Sequence, residues 1–157
     1  MRQRERNLYE RRLGELINPQ VEMLVAGLPK SVVGGFTVGA SGQTNGTGKT
    51  YHYIAWNAVA GKMSVGSYEG NGSDDRSIIG IGFEPKYIIV KAFGDISAVH
   101  HPDAIGTGTD ETLSFMAQAA FANGIQSLGP DGFEVGTDTT VNAASTNYYW
   151  LAFRPRP

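Results

Sequence analysis

Gly35-Phe-Thr-Val-Gly39 followed by Tyr51-His-Tyr-Ile-Ala-Trp56, and Gly132-Phe-Glu-Val-Gly136 followed by Tyr148-Tyr-Trp-Leu-Ala-Phe153, are two copies of one pattern set 97 residues apart. Each copy is a short segment bounded by glycines, a polar Gly/Ser/Thr-rich loop and a longer aromatic segment. No gap is needed between Gly35 and Trp56. Seven of those 22 positions are identical: Gly35/Gly132, Phe36/Phe133, Val38/Val135, Gly39/Gly136, Asn45/Asn142, Tyr51/Tyr148 and Ala55/Ala152. Tyr53/Trp150, Ile54/Leu151 and Trp56/Phe153 are conservative exchanges. A pattern repeated at a fixed offset marks one structural unit used twice. The competing reading is convergence of two hairpins, because any hairpin draws on glycine and aromatic residues.

Outward from this repeat, the chain from Val32 onward alternates with the period of two that strands require. Expected strands are 35–39, 50–57, 62–68, 76–80, 86–92, 96–100, 125–128, 132–136 and 147–154. Turn signals such as Gly70-Asn-Gly-Ser-Asp-Asp75 and Gly129-Pro-Asp-Gly132 separate them. Short strands at this spacing predict a mainly β fold, an antiparallel sandwich or barrel-like domain spanning 31–157. Lys86-Tyr-Ile-Ile-Val-Lys91 reads as a buried strand with a lysine at each end. Tyr51–Trp56 and Tyr148–Phe153 are apolar or aromatic on both faces, so each is expected to be central in a sheet or covered by a neighbouring subunit. Residues 110–123 carry Leu113, Met116, Ala117 and Ala120 at helical spacing behind Asp110, which predicts a helix; an irregular crossover is the alternative.

Residues 1–30 have a different character. Leu8, Tyr9, Leu13, Leu16 and Ile17 form one stripe at helical spacing, with Arg and Glu elsewhere. Asn18-Pro19 opens a second short helix and Gly27 closes it. Arginine in the first turn opposes the helix dipole, so this short helical N-terminal arm needs a surface to lie on. The readings are a cover for the domain's own sheet edge, or a docking element with Leu8, Leu13, Leu16 and Ile17 as the contact. A third, nucleic-acid contact through the arginines, is opposed by the interleaved glutamates.

The totals bound the function. The 157 residues carry a net charge of −2, with 18% charged and 10% aromatic residues and 21 glycines, a turn-rich globular composition with no basic field for nucleic acid. There is no cysteine, hence neither a disulfide nor a thiolate metal site. The charged N-terminus has no apolar core of a secretory signal, and no apolar run approaches the ~20 residues of a membrane span, so no membrane partner is expected.

Motifs that suggest chemistry weaken on inspection. Asn45-Gly-Thr-Gly-Lys-Thr50 resembles the end of a phosphate-binding loop, but position 43 is Gln where that motif needs Gly, and an aromatic segment follows where a helix should. His100 and His101 are adjacent on an expected strand and so point to opposite faces, which disfavours chelation of one ion; a site shared around a symmetry axis is the remaining metal hypothesis. Asp74, Asp75 and Asp95 match no calcium-loop spacing. No Ser/His/Asp set or carboxylate pair has supporting context, so neither an enzyme nor a cofactor is expected. Tyr51, Tyr53, Trp56, Tyr148, Tyr149 and Trp150 are the candidate interface or glycan-stacking aromatics.

The run Val65-Gly-Ser-Tyr-Glu-Gly-Asn-Gly-Ser-Asp-Asp-Arg-Ser-Ile-Ile-Gly-Ile-Gly-Phe-Glu-Pro-Lys-Tyr-Ile-Ile-Val-Lys91 resembles a module of tailed-bacteriophage virion structural proteins, of tail-fibre, appendage or decoration type. So do Ile125-Gln-Ser-Leu-Gly-Pro-Asp-Gly-Phe-Glu-Val-Gly136, Val141-Asn142 and Tyr148–Phe153. The resemblance covers about 63–154, with 35–56 looking like the end of a preceding unit. It supplies no catalytic residues. It implies a non-enzymatic protein on the virion surface, assembled in the host cytoplasm, which contacts other capsid or tail proteins as a homo-oligomer, by analogy a trimer. The alternative is a carbohydrate-binding adhesion module that recognises a host surface glycan.

Overall fold

The computed structural model describes residues 36–38, 42–56, 58–105 and 111–154. Eight strands form two antiparallel sheets. They are β1 (Met63–Glu69), β2 (Arg76–Ile79), β3 (Tyr87–Ala92), β4 (Val99–Pro102), β5 (Leu113–Ser114), β6 (Ile125–Gly129), β7 (Gly132–Val135) and β8 (Asn147–Phe153). The five-stranded sheet runs β1-β8-β3-β4-β5 and the three-stranded sheet β2-β7-β6. The expected N-terminal arm, with Leu8, Leu13, Leu16 and Ile17, lies outside the described residues.

β8 is the organising strand. It pairs β1 over Asn147–Phe153 and β3 over Tyr148–Phe153. That double pairing explains why its sequence is apolar on both faces. Its inward residues Tyr148, Trp150 and Ala152 join Ile88, Val90, Ala92 and Val99 against Ile78, Ile125, Phe133 and Val135 of the smaller sheet. Its outward residues meet a second cluster, with Leu151, Ile89 and Met63 buried and Val65, Tyr87, Tyr149 and Phe153 half-buried around them. Burying the aromatic and branched side chains of the first cluster contributes roughly 1.5–3 kcal/mol apiece before the entropy of ordering them is subtracted.

The predicted turns close where their chemistry directs. Pro130 and Asp131 form the two-residue link between β6 and β7, with Gly129 opposite Gly132. Asp131 then ties this hairpin to the end of β2: its carbonyl accepts from the Gly80 and Ile81 amides at 3.1 Å each, and its carboxylate accepts from the Gly82 amide at 2.6 Å.

Three expectations are corrected. No helix forms within 111–123. Thr112 bridges Phe121, and Leu113–Ser114 pairs with β4. The Thr112 hydroxyl is sealed against β6, accepting from the Ile125 amide at 2.6 Å and donating to the Ile125 carbonyl at 3.3 Å. Met116, Ala117 and Ala120, which the helix would have buried, are exposed; a long-range pairing decides this segment, and local periodicity cannot register it. The strand expected at 96–100 sits at Val99–Pro102 instead, ending at a proline that cannot extend the ladder as a donor. Finally, Phe36–Val38 and residues 50–56, expected as strands, belong to no sheet.

Candidate interaction surface

The repeat is real in three dimensions. In the second copy β7 leads into a single helical turn, Thr139–Asn142, capped by Asp138, whose carboxylate accepts from the Thr140 amide at 2.8 Å and the Thr140 hydroxyl at 2.6 Å. The Tyr148 hydroxyl then locks that turn to β8, donating to the Thr139 carbonyl at 2.7 Å and accepting from the Ala143 amide at 2.8 Å. The first copy has its own helical turn at Gly42–Asn45. There the Tyr51 hydroxyl donates to the Gly42 carbonyl at 2.6 Å and accepts from the Gly46 amide at 2.9 Å. Each of these residues lies 97 positions before its counterpart. The ring pairs match too: Phe36 meets Tyr53 edge-on at 5.0 Å, and Phe133 meets Trp150 edge-on at 6.2 Å.

The surroundings differ completely. Tyr148 and Leu151 are 0% and 1% exposed, whereas their counterparts Tyr51 and Ile54 are 37% and 73% exposed. Trp150 is buried and Tyr53 is 73% exposed. Asn142 is buried and fully engaged. Its Oδ1 accepts from the Asn71 amide and the Arg76 guanidinium at 3.0 Å each, and its Nδ2 donates to the carbonyls of Ser73 at 2.7 Å and Gly136 at 3.0 Å. Asn45 is exposed. The first copy thus repeats the helical turn, tyrosine bridge and ring pair of the second, and among the described residues no strand pairs with it. Trp56 and Phe153, equivalent positions of the two copies, pack edge-on against each other at 5.7 Å.

The shared hydroxyl bridge gives a direct comparison. Tyr148→Phe is expected to destabilise the domain by about 1–2 kcal/mol, because the buried hydroxyl's two hydrogen bonds to part-buried backbone groups are lost. Tyr51→Phe, at an exposed site, is expected to stay within about 0.5 kcal/mol of the parent. Urea unfolding of the two variants checks the contrast.

Among the candidate aromatics, then, Tyr51, Tyr53 and Trp56 present surface to solvent. Tyr148 and Trp150 are core residues with no free ring face for a sugar, and Tyr149 is half-buried on the outer face of the large sheet beside Leu151. Tyr68 is also part of the core. Its ring stacks on Tyr148 at 5.2 Å beneath the Arg76 guanidinium, and its hydroxyl donates to the Val141 carbonyl at 2.7 Å. Burial, and then the neighbouring Tyr148, push that hydroxyl far above its ordinary range against the pull of Arg76.

The histidine pair splits across the sheet. His101 is buried with Nδ1 2.8 Å from the Glu111 carbonyl oxygen. His100 lies on the outer face between Tyr87 at 5.5 Å and Phe115 at 4.5 Å, with its Nδ1 buried and unpartnered. Burial, and secondarily His101, hold His100 below the usual histidine value of 6.5. A depressed folded-state value means that the unfolded chain takes up the proton first. The stability His100 contributes is therefore complete above pH 6.5 and is lost as pH falls from there through its folded value. His100→Gln is expected to flatten that part of the stability profile, and urea midpoints of parent and variant between neutral and mildly acidic pH test it.

Two cations behave unlike each other. Lys86 is at the surface with Glu84 at 2.6 Å and Asp103 at 3.3 Å. Lys91 is buried; its ammonium donates to the Ala92 and Gly94 carbonyls at 2.6 and 2.7 Å, and burial, opposed by Asp95, lowers its pKa. The sequence carries no signal for that burial beyond the lysine's place at the end of an apolar run. Asn142 was signalled by its identity with Asn45, although nothing in the sequence says which copy would be enclosed.

The phosphate-loop candidate runs from a one-turn helix into a segment outside any sheet, with no helix after Lys49-Thr50. Asp74 accepts from the Asp75 amide and the Gln126 side chain at 3.1 Å each, the turn-capping use of such residues. Among the described residues no group of three or more His, Asp or Glu is placed to hold a metal ion, and no helix is long and apolar enough to cross a membrane.

A two-sheet β domain that builds one copy of the closing unit into its sheets, and in which the other copy joins no strand among the described residues, defines the class. The chain belongs to the family of a domain of unknown function, DUF7483, whose pattern matches residues 20–157 and so takes in both copies. No curated protein and no solved structure matched the chain.

Proposed function

We propose that this chain is a non-enzymatic structural protein on the surface of tailed-bacteriophage particles, a capsid decoration or short tail appendage. It docks through residues 1–30 and self-associates through apolar surface of its β-domain. The observation that carries this reading is the aromatic segment 51–56, which joins no strand among the described residues and leaves Tyr53 and Ile54 exposed. Such a surface suits assembly, because contiguous exposed apolar side chains mark interaction sites. The likeness of 63–154 to virion modules supplies the setting. Immunogold labelling of intact particles with antibody to the β-domain tests it. Label over the head means decoration, label at the tail means an appendage, and particles without label refute the proposal.

The exposure of Tyr53 and Trp56 favours a second reading, a glycan-binding adhesion module in which these rings stack on sugar. A glycan array separates the two, since a purely structural protein binds none.

A further inference from the structure

We infer that residues 113–120 form a tab along the edge of β4 that lifts when His100 takes up a proton, a pH-operated switch that leaves the rest of the domain folded. The inference stands apart from the virion reading. The base of the tab is pinned. The Thr112 amide donates to the Phe121 carbonyl at 2.8 Å, and the Phe121 amide donates back to the Thr112 carbonyl at 3.1 Å. Thr112 is itself buried, with its hydroxyl fixed between the amide and the carbonyl of Ile125. The tip is held lightly. β5 pairs only Ser114 with Val99 and Leu113 with His100. Beyond it the Phe115 amide reaches the Ala98 carbonyl at 3.3 Å, and the Ser97 hydroxyl meets the Met116 sulfur. Two further bonds stay within the tab and travel with it: the Met116 amide to the Ser114 hydroxyl, and the Gln118 amide to the Met116 carbonyl. Phe115 and Met116 are each 40% exposed, so little apolar burial opposes lifting.

His100 is the latch. Its ring lies between Tyr87 of β3 at 5.5 Å and Phe115 of the tab at 4.5 Å, and its Nδ1 is buried without a partner. With the proton of the neutral ring on Nε2, that Nδ1 is a lone pair lacking a donor. In the imidazolium it becomes a charged N–H, which needs an acceptor or water. The surroundings offer neither. β3 presents the Tyr87 ring, and the tab presents Leu113 and Phe115. Among the described residues the ionisable group whose charge bears on His100 is His101, which opposes a second positive charge. The charged groups nearby are engaged elsewhere. The Glu111 carbonyl meets His101 Nδ1 on the other face of the sheet, Lys91 holds the Ala92 and Gly94 carbonyls, and Asp103 beyond β4 pairs with Lys86. Moving Phe115 off the ring gives Nδ1 to water and sacrifices a two-residue ladder rather than the domain. His100 is held below 6.5 while the tab is closed and regains its ordinary value when the tab is open, so acid favours opening below 6.5 and not above it. Opening uncovers the backbone edge of β4 beside buried Ala98, and a bared strand edge is able to accept another strand.

Amide hydrogen exchange of the full chain, resolved residue by residue by NMR and corrected for the intrinsic pH dependence of exchange, tests the switch. From about pH 7.5 to about pH 5.5, protection at Phe115 is expected to fall roughly five- to tenfold, the range that uptake of one proton allows. Protection at Thr112 and Phe121, the base of the tab, is expected to stay constant. His100→Phe keeps a ring in the stack and cannot titrate, so it should make protection at Phe115 independent of pH. Glu111→Gln, the control for the carboxylate nearest the tab in sequence, should leave the parental response intact. Protection at Phe115 that ignores pH in the parent chain overturns the inference. So does a response that survives His100→Phe or disappears in Glu111→Gln. Loss of protection at Thr112 and Phe121 in step with Phe115 also overturns it, because the whole domain is then loosening. Should His100→Phe fail to fold, His100→Gln takes its place with the same expected outcome.

Discussion

Asn142→Ala is expected to destabilise the domain by about 3 kcal/mol or more, while Asn45→Ala, the same change at the equivalent position, stays within about 0.5 kcal/mol. One amide holds four partners from three segments: Asn71 and Ser73 of the loop between β1 and β2, Arg76 at the start of β2, and Gly136 after β7. The Asn142 carbonyl adds a fifth tie, accepting from the Gly72 amide at 2.8 Å. Alanine keeps that backbone bond and removes the other four. The Gly136 carbonyl is left buried without a partner, and the Arg76 guanidinium keeps only its 2.6 Å bond to the Glu69 carbonyl. Orphaned buried groups cost about 1–3 kcal/mol each, and the loop they fix loses its register, so the effects compound rather than add. For an ordered region of this size the loss corresponds to a fall in thermal midpoint on the order of 10–20 °C. Equal, small effects at Asn45 and Asn142 would mean that water replaces the amide and that the hub is not structural.

That asymmetry also marks how far the sequence could be read. The Gly/aromatic repeat, the Lys86–Lys91 strand and the Gly129–Gly132 turn were legible because their causes are local: periodicity, turn chemistry and β-branched or aromatic content. Apolar and aromatic side chains on both faces of β8 allowed a central strand or cover by a neighbouring subunit, and β8 is central, between β1 and β3. The same pattern in Tyr51–Trp56 carried the same two alternatives, and among the described residues no strand flanks it. Whether a strand-competent segment joins a sheet depends on partners far away in sequence, which a local pattern cannot register. The two-residue β5 failed for the same reason. Leu113 and Met116 carried a helical spacing, but the Thr112 hydroxyl found both the amide and the carbonyl of Ile125, 13 residues away. Lys91 was placed at the end of a strand, where water would be expected; the carbonyls of Ala92 and Gly94 hold its ammonium instead.

Gly66→Val and Trp150→Ala are each expected to destabilise by about 3 kcal/mol or more, and together by clearly less than their sum. Gly66 of β1 lies directly opposite Trp150 of β8. A Cβ at Gly66 would collide with Cζ2 of the indole and stand 2.7 Å from its Cε2. The ring is also held from the other sheet by Phe133, so it cannot swing away without opening the sandwich. Removing the indole leaves a cavity at the centre of the core, which a valine at 66 partly fills; that is the source of the favourable coupling, about 1–3 kcal/mol in a double-mutant cycle followed by urea unfolding. Strict additivity would show that Gly66 serves strand geometry and not the ring. The equivalent of Trp150 in the first copy is Tyr53, whose ring has Phe36 on one side and solvent on the other. Tyr53→Ala should therefore change the stability of the isolated chain by no more than about 0.5 kcal/mol.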